Sequence, residues 1–186
     1  MTTNYKDICE MFNDSKAYAM EKNINKIILF AKGIENVLKF KNILDETDIE
    51  LIITTFPSNQ VLYIEDEEEG IIETHPEILS FENRTKLKSL NIPLITSTFP
   101  FEPIIIPGNN YNPYSTISQT LNIFGPGTDI AVQSSLMAVD TGVVEPGERI
   151  LSLTTQNVLD LKATNSRFLF HPEKGLEIYH ILRPKE

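Results

Sequence analysis

The chain is short of the residues that most catalytic and extracellular proteins depend on, and each shortage excludes something. Its one cysteine, Cys9, can build neither a disulfide framework nor a cysteine-based zinc site, which favours a reducing compartment. No run approaches the roughly 20 apolar residues of a membrane span. The opening stretch MTTNYKDICEMFNDSK has no apolar core of signal-peptide length. A cytoplasmic protein without a membrane association is therefore expected. Basic residues are scarce as well: 16 Lys and Arg stand against 26 Asp and Glu, for a formal net charge of −10. With no basic cluster to release counterions from a phosphate backbone, nucleic acid is not an expected partner. Catalytic signatures are also missing, with no nucleophile motif, Walker loop or paired-histidine metal motif. The three histidines, His75, His171 and His180, lie in different segments, and two of them precede prolines.

What the chain does contain is enough for one core. At 186 residues and 41% hydrophobic content, a single domain over 1–186 can fold without disulfide or metal. The densest acidic run, Glu65-Asp66-Glu67-Glu68-Glu69, sits between Val61 to Ile64 and Ile71 to Ile72 and ends at Gly70. It lacks the alternating ligands and internal glycine of a calcium loop, so it reads as a solvated hairpin turn. No metal and no cofactor are assigned.

Apolar runs of strand length alternate with helical patterns, which is the signature of a mostly parallel sheet covered on both faces. A lead-in helix is predicted from Asp14 to Lys22, a strand from Lys26 to Phe30, and a helix from Gly33 to Leu44 with Ile34, Val37, Leu38 and Leu44 inward. A strand from Ile49 to Thr55 follows, then the acidic hairpin and a helix from Pro76 to Leu90. The strand Ile92 to Thr96 contains Pro93, so it begins there or lies at an edge. A long loop from Ser97 to Asn112 then carries Phe99, Phe101 and Ile104 to Ile106. So much apolar surface should pack on its own domain or on a second copy, a dimer being preferred. Further extended segments are expected at Arg149 to Leu153, Val158 to Ala163, Phe168 to Phe170 and Glu177 to Leu182.

The stretch from Leu121 to Gly147 is the most distinctive. Asn112 and Pro113 start a helix whose Tyr114, Ile117, Leu121 and Phe124 share one face, and Gly125-Pro126-Gly127 stops it. Thr128 and Asp129 start another, in which Ala131, Ser134, Ser135 and Ala138 form a stripe with little bulk, so that a second backbone can come close. Asp140, in the last turn, opposes the helix dipole and needs a compensating donor, either a loop N–H or Arg149.

A helix, F-G-x-G, a helix reading M-A-x-D-x-G, a turn and a hydrophobic strand resemble the pyruvate kinase C-terminal domain-like family of stand-alone proteins. The likeness covers about Glu21 to Lys185. It implies a three-layer α/β/α sandwich with a mostly parallel central sheet, and a regulatory relationship to small molecules. Kinase activity is not implied, because the barrel that binds phosphoenolpyruvate and metal has no counterpart. Of the family's phosphate-gripping loop after the first strand, Ala31-Lys32-Gly33-Ile34 keeps only Gly33. Of its G-T and G-A-D-T-A hallmark, Thr154-Thr155-Gln156-Asn157-Val158 keeps Thr155.

Ligands of open α/β sheets bind outside the carboxyl ends of the strands, which here carry Lys32 and Gly33, Thr54 and Thr55, Thr96, and Thr154, Thr155 and Gln156. Hydroxyls, one lysine and a helix N-terminus suit a phosphate- or carboxylate-bearing metabolite. The same threonines also suit strands and helix caps. Three functional classes stay open: a small-molecule binding or regulatory module, an enzyme with an unrecognised site at the strand ends, and a homo-oligomeric interaction protein.

Overall fold

The run Lys26–Phe30 owes its apolar composition to its place, because four of its five residues are buried. A computed structural model of the chain describes residues 5, 7–66, 70–76, 78–102 and 112–183. Among them the elements run α1 (Ile8–Lys22), β1 (Lys26–Phe30), α2 (Glu35–Leu44), β2 (Glu50–Thr54), β3 (Leu62–Asp66), β4 (Gly70–Thr74), α3 (Phe81–Ser89), β5 (Leu94–Ile95), α4 (Pro113–Asn122), α5 (Thr128–Asp140), β6 (Arg149–Leu153), β7 (Val158–Lys162) and β8 (Glu177–Leu182). Six strands form one sheet in the order β5-β2-β1-β6-β7-β8. The pairings from β5 through β6 are parallel, and β7 runs antiparallel to both its neighbours. This is a mostly parallel, mixed α/β sheet.

Both faces of the sheet are covered, so the inner strands are apolar at successive positions. Ile27, Leu29, Leu51, Ile53, Leu151 and Leu153 pack with α1, α2 and Leu87 of α3. Phe12 of α1 and Phe40 of α2 stack at 4.2 Å between ring centroids within that layer. The alternate residues Ile28, Ile52, Ile150, Leu159 and Leu161 face α5. The small-residue stripe meets the sheet as its lack of bulk requires: Ala131, Ser134, Ser135 and Ala138 have no exposed surface. Ser152 of β6 donates its hydroxyl to the Ala131 carbonyl at 2.6 Å, and Thr54 of β2 donates to Ser134 Oγ at 2.8 Å. A strand hydroxyl can reach a helix carbonyl only where no larger side chain holds the two apart.

Several boundaries differ from the sequence reading. Helix α1 starts at Ile8, well before Asp14, because Asp7 accepts the Cys9 N–H and caps it. Helix α2 starts at Glu35, two residues after Gly33. Helix α3 starts at Phe81 and not at Pro76, since Ser80 accepts the Asn83 N–H as its cap. Strand β5 keeps only Leu94 and Ile95 and lies at the sheet edge, where Pro93 gives a carbonyl to Ile53 and owes no donor. The segment from Phe168 to Phe170 is not extended. Its first residue ends a 3-10 turn, Ser166–Phe168, capped by Asn165. Strands β3 and β4 form the expected hairpin as a separate two-stranded sheet. Phe99 and Phe101 are buried in their own domain, and Ile104 to Ile106 lie outside the described residues. Asp140 accepts the Ser166 N–H at 3.0 Å, the loop donor of the two alternatives.

Arg149 has a different partner. Its Nε and Nη2 hold the two oxygens of Asp160 on β7 at 2.9 and 2.6 Å, Tyr18 of α1 donates its hydroxyl to the same carboxylate at 2.8 Å, and the guanidinium lies over Tyr179. Burial, together with the hydrogen bond to Asp160, pushes the Tyr18 phenol up to about 12 from 10.0. Burial and Asp14 do the same to Tyr5. A phenol whose folded pKa is raised stabilises the fold fully below the unfolded value and loses that contribution as pH rises through the folded one. Stability should therefore fall between pH 10 and 12, and the fall should be shallower in the Tyr5→Phe, Tyr18→Phe double variant. Urea midpoints across that window decide it, and equal slopes in both proteins would refute the assignment.

Candidate functional site

Parallel strands deliver their carboxyl ends to one rim, and here three of them open into a crevice. From β1 come Phe30 and the turn Ala31, Lys32 and Gly33, which leads into Glu35 and Asn36 of α2; Phe56 follows β2, Gly127 and Ile130 begin α5, and Thr154, Thr155 and Gln156 follow β6. These residues enclose about 420 Å³, within the usual range for a small-molecule site.

Two helix N-termini line it, and they are unlike the rest. Helices α1, α3 and α4 are capped by the side chains of Asp7, Ser80 and Asn112. Helix α2 begins after Ile34 and α5 after Gly127, both without a side-chain cap. The first intrahelical bond of α2 is from the Leu38 N–H to the Ile34 carbonyl, which leaves the amides of Glu35, Asn36 and Val37 free for a ligand or water. In α5, Asp129 N–H has only a long contact to Asn122, at 3.4 Å. Free amides and the positive dipole end together favour an anion.

Among the described lining residues the crevice has one cation, Lys32, and one carboxylate, Glu35. Lys32 Nζ lies 5.7 Å from the centroid of the Phe56 ring. Glu35 folds back so that a Cβ on Gly33 would come within 2.8 Å of its Oε2. Its carboxylate thus lies beside Gly33 at the mouth of the crevice. Phe30 and Phe56, edge to face at 5.1 Å, supply an apolar wall, so the site suits an organic anion better than a bare ion.

The back wall is held rigidly. Thr154 Oγ1 accepts the N–H groups of Gln156 and Asn157, each at 3.1 Å. Asn157 donates to Thr128 Oγ1 at 2.5 Å and accepts from Arg183 Nη1 at 3.0 Å. Gly127, at φ 77°, has no room for a side chain because its Cβ would meet Thr154 Oγ1 at 2.8 Å. The turn after β6 and the start of α5 therefore form one preorganised unit.

Of the residues expected at the site, Lys32, Gly33, Thr154, Thr155 and Gln156 line the crevice, while Thr54, Thr55 and Thr96 do not. Thr54 is buried against Ser134, Thr55 is buried with its hydroxyl unpartnered, and Thr96 is half-buried beyond the edge strand β5. Thr155 and Gln156 are exposed. Phe30, Glu35, Asn36, Phe56 and Ile130 were not anticipated. Only Glu35 and Asn36 carried a signal, as polar residues in a first helical turn.

No histidine lines the crevice. His75 Nδ1 lies 3.2 Å from the Gln60 carbonyl, His171 Nδ1 accepts the amides of Glu173 and Lys174, and His180 sits edge-on to Tyr18. Among the described residues, no three His, Cys, Asp or Glu side chains gather as a metal site, and no helix is long and apolar enough to cross a membrane. The sequence matches no family model and no curated protein.

Proposed function

We propose that the chain is a small-molecule binding or regulatory module whose crevice takes a phosphate- or carboxylate-bearing metabolite with an apolar part, and that it has no pyruvate kinase activity. The observation that carries this reading is the pairing of two helix N-termini lacking side-chain caps with Lys32 around a single crevice. The resemblance of its sequence to a family related to a regulatory domain supports the same class. The phenylalanine wall accounts for the apolar part, and the Glu35 carboxylate beside Gly33 is a charge that opposes an incoming anion.

The reading is tested by thermal shift and calorimetric titration with inorganic phosphate and a panel of organic phosphates and carboxylates. A ligand that binds only the folded state raises its melting temperature with concentration. Lys32→Ala removes a charge-assisted contact and should weaken binding about 10- to 100-fold. Glu35→Gln removes the opposing charge and should tighten it. Thr155→Val should leave the fold intact and have a smaller effect. A panel with no saturable shift, or a shift that both Lys32→Ala and Glu35→Gln leave unaltered, overturns the reading.

A further inference from the structure

Arg183 follows β8 and is not among the residues that line the crevice, yet its side chain joins the two segments that form the crevice's back wall. Strand register puts it there. β8 runs antiparallel to β7 with Leu182 opposite Val158, so the residue after Leu182 meets the residue before Val158. Arg183 Nη1 donates to Asn157 Oδ1 at 3.0 Å, and Nη2 donates to the Phe124 carbonyl at 2.6 Å, just beyond the C-terminal end of α4. A guanidinium suits this place, because its planar fork can hold two acceptors at once and its charge favours the carbonyl end of a helix.

The hold on Asn157 is passed further. Asn157 is 1% exposed. Its Oδ1 also accepts the Val158 N–H at 3.1 Å and its Nδ2 donates to Thr128 Oγ1, so the amide group is kept in one orientation. Thr128 Oγ1 in turn donates to the Gly125 carbonyl at 2.6 Å. The α4–α5 junction passes close to the same groups: a Cβ on Gly125 would lie 3.0 Å from Arg183 Nη2 and 3.2 Å from Asn157 Nδ2. Thr128 opens α5, and Gly127 before it lines the crevice, as does Thr154, whose hydroxyl accepts the Asn157 N–H. Arg183, Asn157 and Thr128 therefore form a connected path from the end of β8 to the α5 terminus that lacks a side-chain cap. In a buried polar network of this kind, loss of one member leaves the others free to reorient.

We infer that Arg183 is a positioning residue for anion binding, which fixes the N-terminus of α5 against the turn after β6 without touching the ligand. The inference rests on the reading of the crevice as an anion site.

Calorimetric titration of the full chain with phenyl phosphate, combined with amide hydrogen exchange followed by NMR, tests it. Arg183→Met keeps an apolar stem and removes both donors, and Arg183→Lys keeps the charge but replaces the fork with a single ammonium. Each should raise the dissociation constant of phenyl phosphate about tenfold. Each should also speed exchange of the Gln156 and Asn157 amides, which Thr154 Oγ1 accepts, while Leu29 of β1 and Ile52 of β2 exchange as before. Lys26→Met removes one positive charge from the ion pair with Glu148 where β1 begins, and should leave the affinity and the exchange at Gln156 and Asn157 unchanged. Wild-type affinity in either Arg183 variant, or unaltered exchange at those two amides, overturns the inference. Equal weakening by Lys26→Met also overturns it, because net charge would then be the cause. A wild-type chain that takes up no phenyl phosphate overturns instead the reading of the crevice, and the inference with it.

Discussion

Arg149→Ala should cost about 3 to 5 kcal/mol of folding stability, the loss expected when a buried ion pair is left without one partner. The two ends of this pair are not equivalent. Asp160 has no exposed surface, whereas the Arg149 side chain is 39% exposed. Without Arg149, the carboxylate keeps the Tyr18 hydroxyl and meets water only through the gap that the partly exposed arginine leaves. Tyr18 places the loss toward the lower end of the range. Asp160→Asn should cost less, because the surviving guanidinium can be hydrated and still lies over Tyr179. Urea unfolding with unchanged m-values measures both. If Asp160→Asn proves the more damaging variant, the buried carboxylate is not the group that needs compensation.

Ala131→Leu should cost about 3 kcal/mol, at the upper end for overpacking a core position. The site offers no room in which to relax, because Ser152 Oγ already touches the Ala131 carbonyl at 2.6 Å and the helix is buried along nearly its whole length. A leucine there must push α5 away from β6 and break that bond. Lys39→Leu, on the exposed side of α2, adds similar bulk in solvent and should change stability by only a few tenths of a kcal/mol. Equal melting temperatures for the two variants would mean that the stripe faces outward.

The sequence patterns that located elements were those with a strong local cause. Asn112-Pro113 caps and starts α4 where expected, and Glu177–Leu182 forms the last strand with the expected ends. The stripe from Ala131 to Ala138 showed which helix lies closest to the sheet, since small side chains at helical spacing have few other uses. Helix starts were misplaced where a single polar residue decides them. Asp7 and Ser80 each accept an amide only once the chain has turned, and nothing in the apolar periodicity marks that. At the site, Lys32, Gly33 and the 154–156 turn follow from strand-end position alone. Thr54 and Thr55 precede the rim, where the strand is still covered by helices on both faces. Phe56 could not be read as a wall residue, because its role depends on Phe30 and on Lys32, which approach it from another strand.

The order of strands also bears on how the chain comes together. β1 has β2 on one side and β6 on the other, and these partners lie at very different distances along the chain. The β1, α2 and β2 unit closes through a short connection, so it can assemble as soon as those residues are available. The opposite edge of β1 must wait for Arg149–Leu153, after most of the intervening chain has been made. During that interval an apolar strand edge stays unpaired, and an unpaired edge is a template for association with other chains. The late arrival of β6, with β7 and β8 following as a meander, is the step that closes the interior. For this protein, the exposure of one edge of β1 until Arg149–Leu153 is made is a consequence of strand order.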